Sequence, residues 1–326
     1  MMRCRTRSTT ALLLLILATT LSAEDLPRRL APGAALFEAA DFDQALEFFR
    51  SVSPGTDAAW VDYYKGWIHL QQGDTDDAIE LVQKAVEANP ASSLFHRRLG
   101  DVYVQKIDEV GMLKKMGFAK KARTNYEQAV ELAPDDIDAR ESLTGFYLNA
   151  PAVAGGSRTK AEEQVAEMRR LDPAKGHQLM GRVYMEEEEW DKAVVEFQSA
   201  LDAGQKNSDT YYSLGFSYQQ GEQYREAFAA FENAIDVDPQ RLGSYYQIGR
   251  TAIFSKSHLE RAAECLSFYL EQPQQRNSPA AEHAHWRLGM IYELMDRDDR
   301  AAAEYRAALE LDPDHKEAKK ALKDLS

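Results

Sequence analysis

The chain has 326 residues, 44% apolar and 10% aromatic, which is enough apolar material to bury a core and excludes global disorder. Its formal net charge of −14 argues against nucleic acid as the main partner, because phosphate binding needs a basic surface. That acidity suits a soluble chain that meets protein surfaces, and the length suits one elongated array better than one small domain.

The first residues read as a targeting segment rather than as part of the fold. Arg3, Arg5 and Arg7 precede a short apolar stretch at 11–21, and Thr20-Leu21-Ser22-Ala23 offers small residues for cleavage after Ser22 or Ala23. The apolar run is about half the roughly twenty residues that a membrane span needs. Residues 1–23 are therefore expected to be a removed secretory signal, with an uncleaved anchor as the alternative. No stable membrane span is expected afterwards, and a periplasmic location follows. Cys4 lies before the apolar run, where it cannot serve as a lipid-attachment site. Only Cys265 would survive cleavage, so no intramolecular disulfide is expected and helix packing must supply the stability.

From residue 26 onward the sequence repeats itself about every 34 residues. The cleanest copy runs from Ser208 to Pro239. Tyr211, Leu214, Gly215 and Tyr218 lie at i, i+3, i+4 and i+7, one face of a first helix. Ala227, Phe231 and Ala234 mark a face of a second helix, Gly221 separates the two, and Pro239 closes the unit. Gly215 and Ala227 let the backbones approach, while Tyr218 and Phe231 fill the space beside them. The glycine column recurs as Gly33, Gly66, Gly100, Gly181, Gly215, Gly249 and Gly289, with Thr144 standing in once. The alanine column recurs as Ala45, Ala78, Ala122, Ala161, Ala193, Ala227 and Ala301, with the seventh copy ambiguous between Arg261 and Ala262. Prolines at 90, 134, 173, 239, 273 and 313 punctuate the copies. The units fall near 26–57, 58–91, 92–135, 136–173, 174–206, 207–240, 241–274 and 280–313.

Three copies depart from the pattern. The third carries about ten extra residues from Lys106 on, with Gly111 and Gly117 as breakers. The fourth carries about five extra in 150–157, and a longer linker at 274–279 precedes the eighth. Residues 314–326 read as a cap: Ala318, Leu322 and Leu325 share one helical face, and Lys316, Lys319, Lys320 and Lys323 face water.

These columns resemble the tetratricopeptide repeat along nearly the whole chain after the leader. The resemblance implies an all-α, α-α superhelical solenoid of about eight helix hairpins with a C-terminal capping helix. The paired insertions further resemble a group of exported bacterial repeat proteins without an assigned activity. In the family the first helices line a concave surface where partners lie. Transferred to this chain, that facing nominates Trp60, Tyr63, Trp67, Arg97, Arg182, Tyr212, Phe216, Tyr246, Arg250 and Trp286 as a partner-binding groove. Aromatic residues and Arg dominate protein–protein hot spots because they bury much area and still hydrogen-bond. The second copy is unusual, with Asp62, Lys65 and His69 at the usual interior positions and two tryptophans on the groove side. A partner covers the tryptophans, or the chain's own residues 26–36 do, or a register shift makes them core.

The third-copy insertion gathers Lys114, Lys115, Lys120 and Lys121 around Met116 and Phe118, an expected docking surface for an acidic partner or a membrane. A solvated loop folded onto its hairpin is the alternative. His96, His177 and His285 recur in one column but on separate units, so they are expected to fill between helices rather than to bind metal. Gly155-Gly156-Ser157 lacks the spacing of a phosphate loop and reads as a turn with a cap at Ser157 or Thr159, so no nucleotide is expected. Glu186–Glu189 reads as a solvated turn. Catalytic motifs are absent and the repeats consume the chain. The expected function is a non-catalytic scaffold or assembly factor in the bacterial envelope that holds a protein or peptide segment, without cofactors. Self-association into homo-oligomers is the alternative.

Overall fold

The computed structural model describes residues 26–53, 55–273 and 279–325. The expected leader and residues 274–278 of the expected linker lie outside the described residues. Among these residues the chain forms 17 α-helices and no strand, and divides into two compact units at Pro134 and Asp135. It is all-α, built of eight consecutive helix hairpins and a terminal helix, the tetratricopeptide-type solenoid class. Among the described residues no helix is long and apolar enough to cross a membrane.

The first unit holds three hairpins: α1 (Ala31–Glu38) with α2 (Phe42–Ser51), α3 (Ala58–Gln72) with α4 (Thr75–Ala88), and α5 (Ser93–Glu109) with α6 (Met112–Leu132). The second holds α7 (Ile137–Asn149) with α8 (Arg158–Leu171), α9 (Pro173–Glu186) with α10 (Trp190–Asp202), and α11 (Ser208–Gln220) with α12 (Tyr224–Val237). It continues with α13 (Leu242–Ser255) and α14 (Leu259–Glu271), α15 (Ala281–Leu294) and α16 (Asp298–Leu311), and the single α17 (Lys316–Asp324).

One contact recurs in the hairpins. Each alanine of the second-helix column is fully buried, and the side chain four residues later lies over the glycine of the first helix. A Cβ on Gly100 would stand 2.5 Å from the Tyr126 ring, one on Gly215 2.8 Å from Phe231, and one on Gly289 2.5 Å from Tyr305. No real carbon tolerates those distances, so glycine is required by the ring that occupies its side-chain space. Gly249 meets Leu266 in the same way, which settles the seventh copy in favour of Ala262, fully buried four residues earlier. Where Thr144 replaces glycine, its hydroxyl donates to the Arg140 carbonyl at 2.7 Å, and the residue four past Ala161 is Val165 rather than a ring.

The turns share a register as well. Ala40, Gly73, Glu188, Glu222 and Asp296, each five residues before a column alanine, take positive φ between 54° and 87°. Gly221 does end α11, but the left-handed residue is Glu222 (φ 59°). Helix starts are capped by Asp41, Ser92, Asp136, Ser157, Asp172 and Asn207, whose side chains accept the amide three residues on. Each such cap contributes about 1 kcal/mol. Ser157, not Thr159, caps α8, and Gly155 supplies the left-handed turn before it (φ 102°).

Two expectations about the insertions need correction. Gly117 breaks nothing; it lies inside α6, and only Gly111 separates α5 from α6. The extra residues of the third copy are helical. Other second helices begin three residues before their column alanine, whereas α6 begins ten before Ala122. The terminal helix does behave as a cap: Ala318 is fully buried and the four lysines are exposed.

Within the second unit, polar side chains tie one hairpin to the next. Gln178 donates to Thr210 at 2.9 Å and Gln219 to Thr251 at 2.8 Å, both buried. Arg261 donates to both Glu232 oxygens, at 2.8 and 3.0 Å. Buried hydrogen bonds of this kind contribute about 1 kcal/mol each when complete, and leave a costly orphan when one partner is removed.

Replacing Gly215 with Ala should destabilise the protein by about 1–3 kcal/mol despite the better helix propensity of Ala, because the new Cβ meets Phe231. Gly145 in α7 has nothing within 4 Å, so Gly145→Ala should stabilise by up to about 1 kcal/mol. Thermal unfolding of the two variants checks the sign of each. Burial raises the Cys265 thiol from its ordinary 9.0 to about 12. The stability linked to that thiol is thus fully present below pH 9.0 and lost as pH rises toward about 12. Native protein at pH 8 should leave Cys265 unlabelled by maleimide, and denatured protein should label it, as read by peptide mapping.

Candidate functional site

The ten residues expected to line a groove separate into core and surface. In the first unit the aromatic set is core. Tyr63 is 0% exposed, stacked on Phe95 at 5.1 Å, and therefore no accessible anchor. Trp60 packs edge-on against Phe95 at 5.0 Å. Trp67 meets Phe37 at 4.6 Å, and the Arg98 guanidinium lies 3.3 Å from its ring centroid. Leu26 and Leu36 pack into the same cluster. Both tryptophans are partly buried against this cluster, Trp67 on Phe37 just past the 26–36 segment and Trp60 on Phe95 of the third copy.

The polar residues assigned to the interior of the second copy are not interior. Val61, Tyr64 and Ile68 are buried there instead, while Asp62, Lys65 and His69 stay half-exposed. Burial still pushes the Asp62 carboxyl up, opposed by Lys65 and Lys84. His69 faces Asp74 at 3.4 Å. Arg97 is half-buried on α5.

In the second unit Arg182 is exposed and faces Glu141 at 3.8 Å. Tyr212 lies beneath the Arg241 guanidinium at 4.4 Å, and Phe216 packs against Trp190 at 6.0 Å. Tyr246 is 6% exposed and packs on Tyr269, so it too is a wall rather than an anchor. These four are occupied by the fold.

What remains is a cluster on α13 and α15, which pack against each other. Tyr246, Arg250 and Phe254 recur every four residues and so form one stripe of α13. Phe254 is about half exposed, and the Arg250 guanidinium lies 5.9 Å from its ring. Across from this stripe, Arg287 lies 5.1 Å from the Tyr246 ring and 4.9 Å from Trp286. Arg250 donates to Gln247 at 3.2 Å and Arg287 to the His283 carbonyl at 3.4 Å. Neither guanidinium meets a carboxylate among the described residues. Burial pushes Arg287 below its ordinary value; Tyr246 opposes that and Arg250 adds to it by like-charge repulsion. The cluster can therefore accept an anionic, partly apolar group.

Sequence reasoning named Tyr246, Arg250 and Trp286 but missed Arg287, Phe254 and Gln247. The available signal was that Arg287 follows Trp286 directly, and that Phe254 continues the stripe of Arg250.

The histidine column has a structural role. His96 Nδ1 pairs with Asn125 at 2.9 Å, His177 with Glu196 at 2.7 Å and His285 with Glu304 at 2.7 Å, each joining the two helices of its own hairpin. Among the described residues no group of His, Cys, Asp and Glu is placed to hold a metal ion. Glu187 pairs with Arg158 and Glu189 with Lys192, so the acidic turn is partly neutralised rather than merely solvated.

The tetratricopeptide repeat family matches residues 36–101, 208–241 and 283–315. Comparison with curated proteins finds no similar sequence. Among solved structures, the Cut9–Hcn1 hetero-tetramer of the APC/C superposes with a TM-score of 0.57 at 15% identity. That match covers 96% of this chain and 57% of the other, so this chain spans little more than half of it. Pseudomonas aeruginosa PilF matches with a TM-score of 0.54 at 15% identity, over 71% of this chain and 97% of that one. Human IFIT1, as a dimer with PPP-AAAA, gives 0.53 at 16% identity over 90% and 71%. At these identities the likeness is one of fold. Repeat proteins of this class are generally non-catalytic and serve protein–protein contacts. The family matches, the glycine and alanine columns and the eight consecutive hairpins together identify the chain as a tetratricopeptide repeat protein.

Proposed function

We propose that the protein is a non-catalytic scaffold of the bacterial envelope that holds a carboxylate-bearing segment of another protein on the face formed by α13 and α15. The observation that carries this reading is the pair Arg250 and Arg287, set among Tyr246, Phe254 and Trp286 without an acidic partner. The chain has 53 acidic residues against 39 basic ones, so pairing every guanidinium internally would have been easy. Two arginines repelling each other on a half-buried surface lower stability unless an anion joins them. Guanidinium forks take carboxylates in bidentate geometry, and the flanking rings offer apolar area to the rest of the segment. An acidic protein or peptide segment fits those demands. Nucleic acid fits the phosphate chemistry but not the surrounding net charge of −14.

Export is part of the proposal and rests on the sequence of residues 1–23, a basic start followed by a short apolar run and small residues. The self-associating alternative has no comparable observation behind it, although acidic segments of a second copy offer the same chemistry.

The test is a photo-crosslinking residue at Phe254, used in cells, with the captured segment mapped by mass spectrometry. The expected result is one partner segment containing Asp or Glu. Arg250→Ala with Arg287→Ala should weaken its binding at least about thirtyfold, since unpairing a buried charge costs about 2–5 kcal/mol. Helical circular dichroism should stay near wild type. Unchanged capture by the double variant, or a captured segment without acidic residues, overturns the proposal. Capture of the chain by itself, with a concentration-dependent mass in light scattering, moves the reading to self-association.

A further inference from the structure

The extended α5–α6 hairpin has no role in the face just described and presents a surface of different chemistry. In the first unit its α6 starts seven residues earlier, relative to the alanine column, than α4 does. α5 runs only three residues further past its column glycine than α3 does, so the hairpin end extends past its α3–α4 neighbour by roughly 5–10 Å. The apex is apolar and bare: Leu113 is 96% exposed and Met112 78% exposed, with Met116 and Val104 continuing the strip along the two helices. Phe118, expected on this surface, instead packs at 5.9 Å against Tyr103 inside the hairpin, with Lys121 near both rings.

On α6 the charge around the apex is of one sign. From Met112 to Tyr126 the sequence holds Lys114, Lys115, Lys120, Lys121 and Arg123 and no acidic residue. Lys114, Lys115 and Lys120 form no ion pair among the described residues. Facing it are three exposed acids: Glu109, engaged by Thr75 and Lys106, Asp76, engaged by Lys106, and Asp108.

We infer that this hairpin tip docks on an anionic phospholipid surface, with Leu113 and Met112 entering the headgroup–acyl boundary and the lysines meeting lipid phosphates. Two features point to lipid rather than to protein. An apolar apex on a convex projection needs a medium that yields around it; a protein would have to offer a matching pocket. Lysine stems can lie along the acyl boundary while their ammonium groups stay with the phosphates. The apolar tip thus works with the cationic flanks, and neither alone would hold the protein on a bilayer.

The experiment is flotation of the full chain with vesicles of phosphatidylglycerol in phosphatidylcholine and, separately, of phosphatidylcholine alone. Hydrogen exchange of residues 104–118 is followed in parallel. Wild type should float with the anionic vesicles, lose binding as salt rises, and exchange more slowly at 104–118 when they are present. Lys114→Glu with Lys115→Glu should weaken that binding by about thirtyfold or more. Leu113→Asp should weaken it about tenfold, and Leu113→Phe should retain it. Leu113 and Lys114 are exposed and Lys115 is half-buried, and unchanged circular dichroism shows that the variants fold. Residues 1–25 are the same in every variant, so binding that ignores the tip substitutions comes from elsewhere and overturns the proposal. Equal binding to phosphatidylcholine alone also overturns it. So does slowed exchange at 104–118 that follows protein concentration, or an added acidic protein, instead of lipid.

Discussion

A ring or branched side chain seated in the space of a missing Cβ is the contact on which seven of the eight hairpins depend. Because Tyr126, Phe197, Phe231 and Tyr305 lie directly on glycines of the preceding helix, the helix axes come closer than two ordinary side chains would allow. The column alanine one turn earlier keeps the second backbone equally near. Close approach fixes the turn as well: the connection is short enough to demand a left-handed residue, and the array places Ala, Glu or Asp there at some cost in backbone energy. A few kcal/mol of packing per hairpin offset that cost. The units are then joined in series by contacts such as Gln178–Thr210 and Arg261–Glu232, so stability accumulates along the array.

The same contact explains which parts of the protein were legible in the sequence. Gly215, Ala227 and Phe231 fill roles that only a few residue types can fill, so the columns declare the hairpins, their number and the seventh-copy ambiguity. Leu266 over Gly249 resolves that ambiguity, but only once the register of α14 is known. Side-chain facing was less legible. Tyr63 and Tyr246 lie on the first helices, where the family places its partner surface, yet Phe95 and Tyr269 bury them. An aromatic at a helix flank serves core or surface according to what the next hairpin presents, and that is a contact some 30 residues away. Gly117 was misread for the opposite reason: a glycine with nothing near it costs only helix propensity, which a 21-residue helix tolerates.

Charge separates the structural positions from the functional ones better than apolarity does. Several arginines at the helix packing surfaces are accounted for: Arg98 by Asp101 and Trp67, Arg169 by Glu196, Arg241 by Asp209, Arg261 by Glu232. Even the histidine column, which invites a metal reading on sequence grounds, resolves into pairs that clasp the two helices of one hairpin. Against that background an unpaired cation is informative, because acids to neutralise it were abundant.

The two clusters proposed to meet anions differ in a way that matters for what they meet. Arg250 and Arg287 are half-buried among rings on packed helices, so their geometry is fixed and desolvation strengthens whatever carboxylate reaches them. The tip lysines are solvated, on long stems, beside an apolar apex with no wall around it. Fixed guanidiniums in a walled site select a defined anionic group. Mobile ammoniums around bare Leu113 and Met112 select a diffuse anionic layer that deforms. On the two proposals the chain would keep two kinds of anion recognition apart, one for a specific segment and one for a surface, with only Tyr246 serving both a site and its own hairpin.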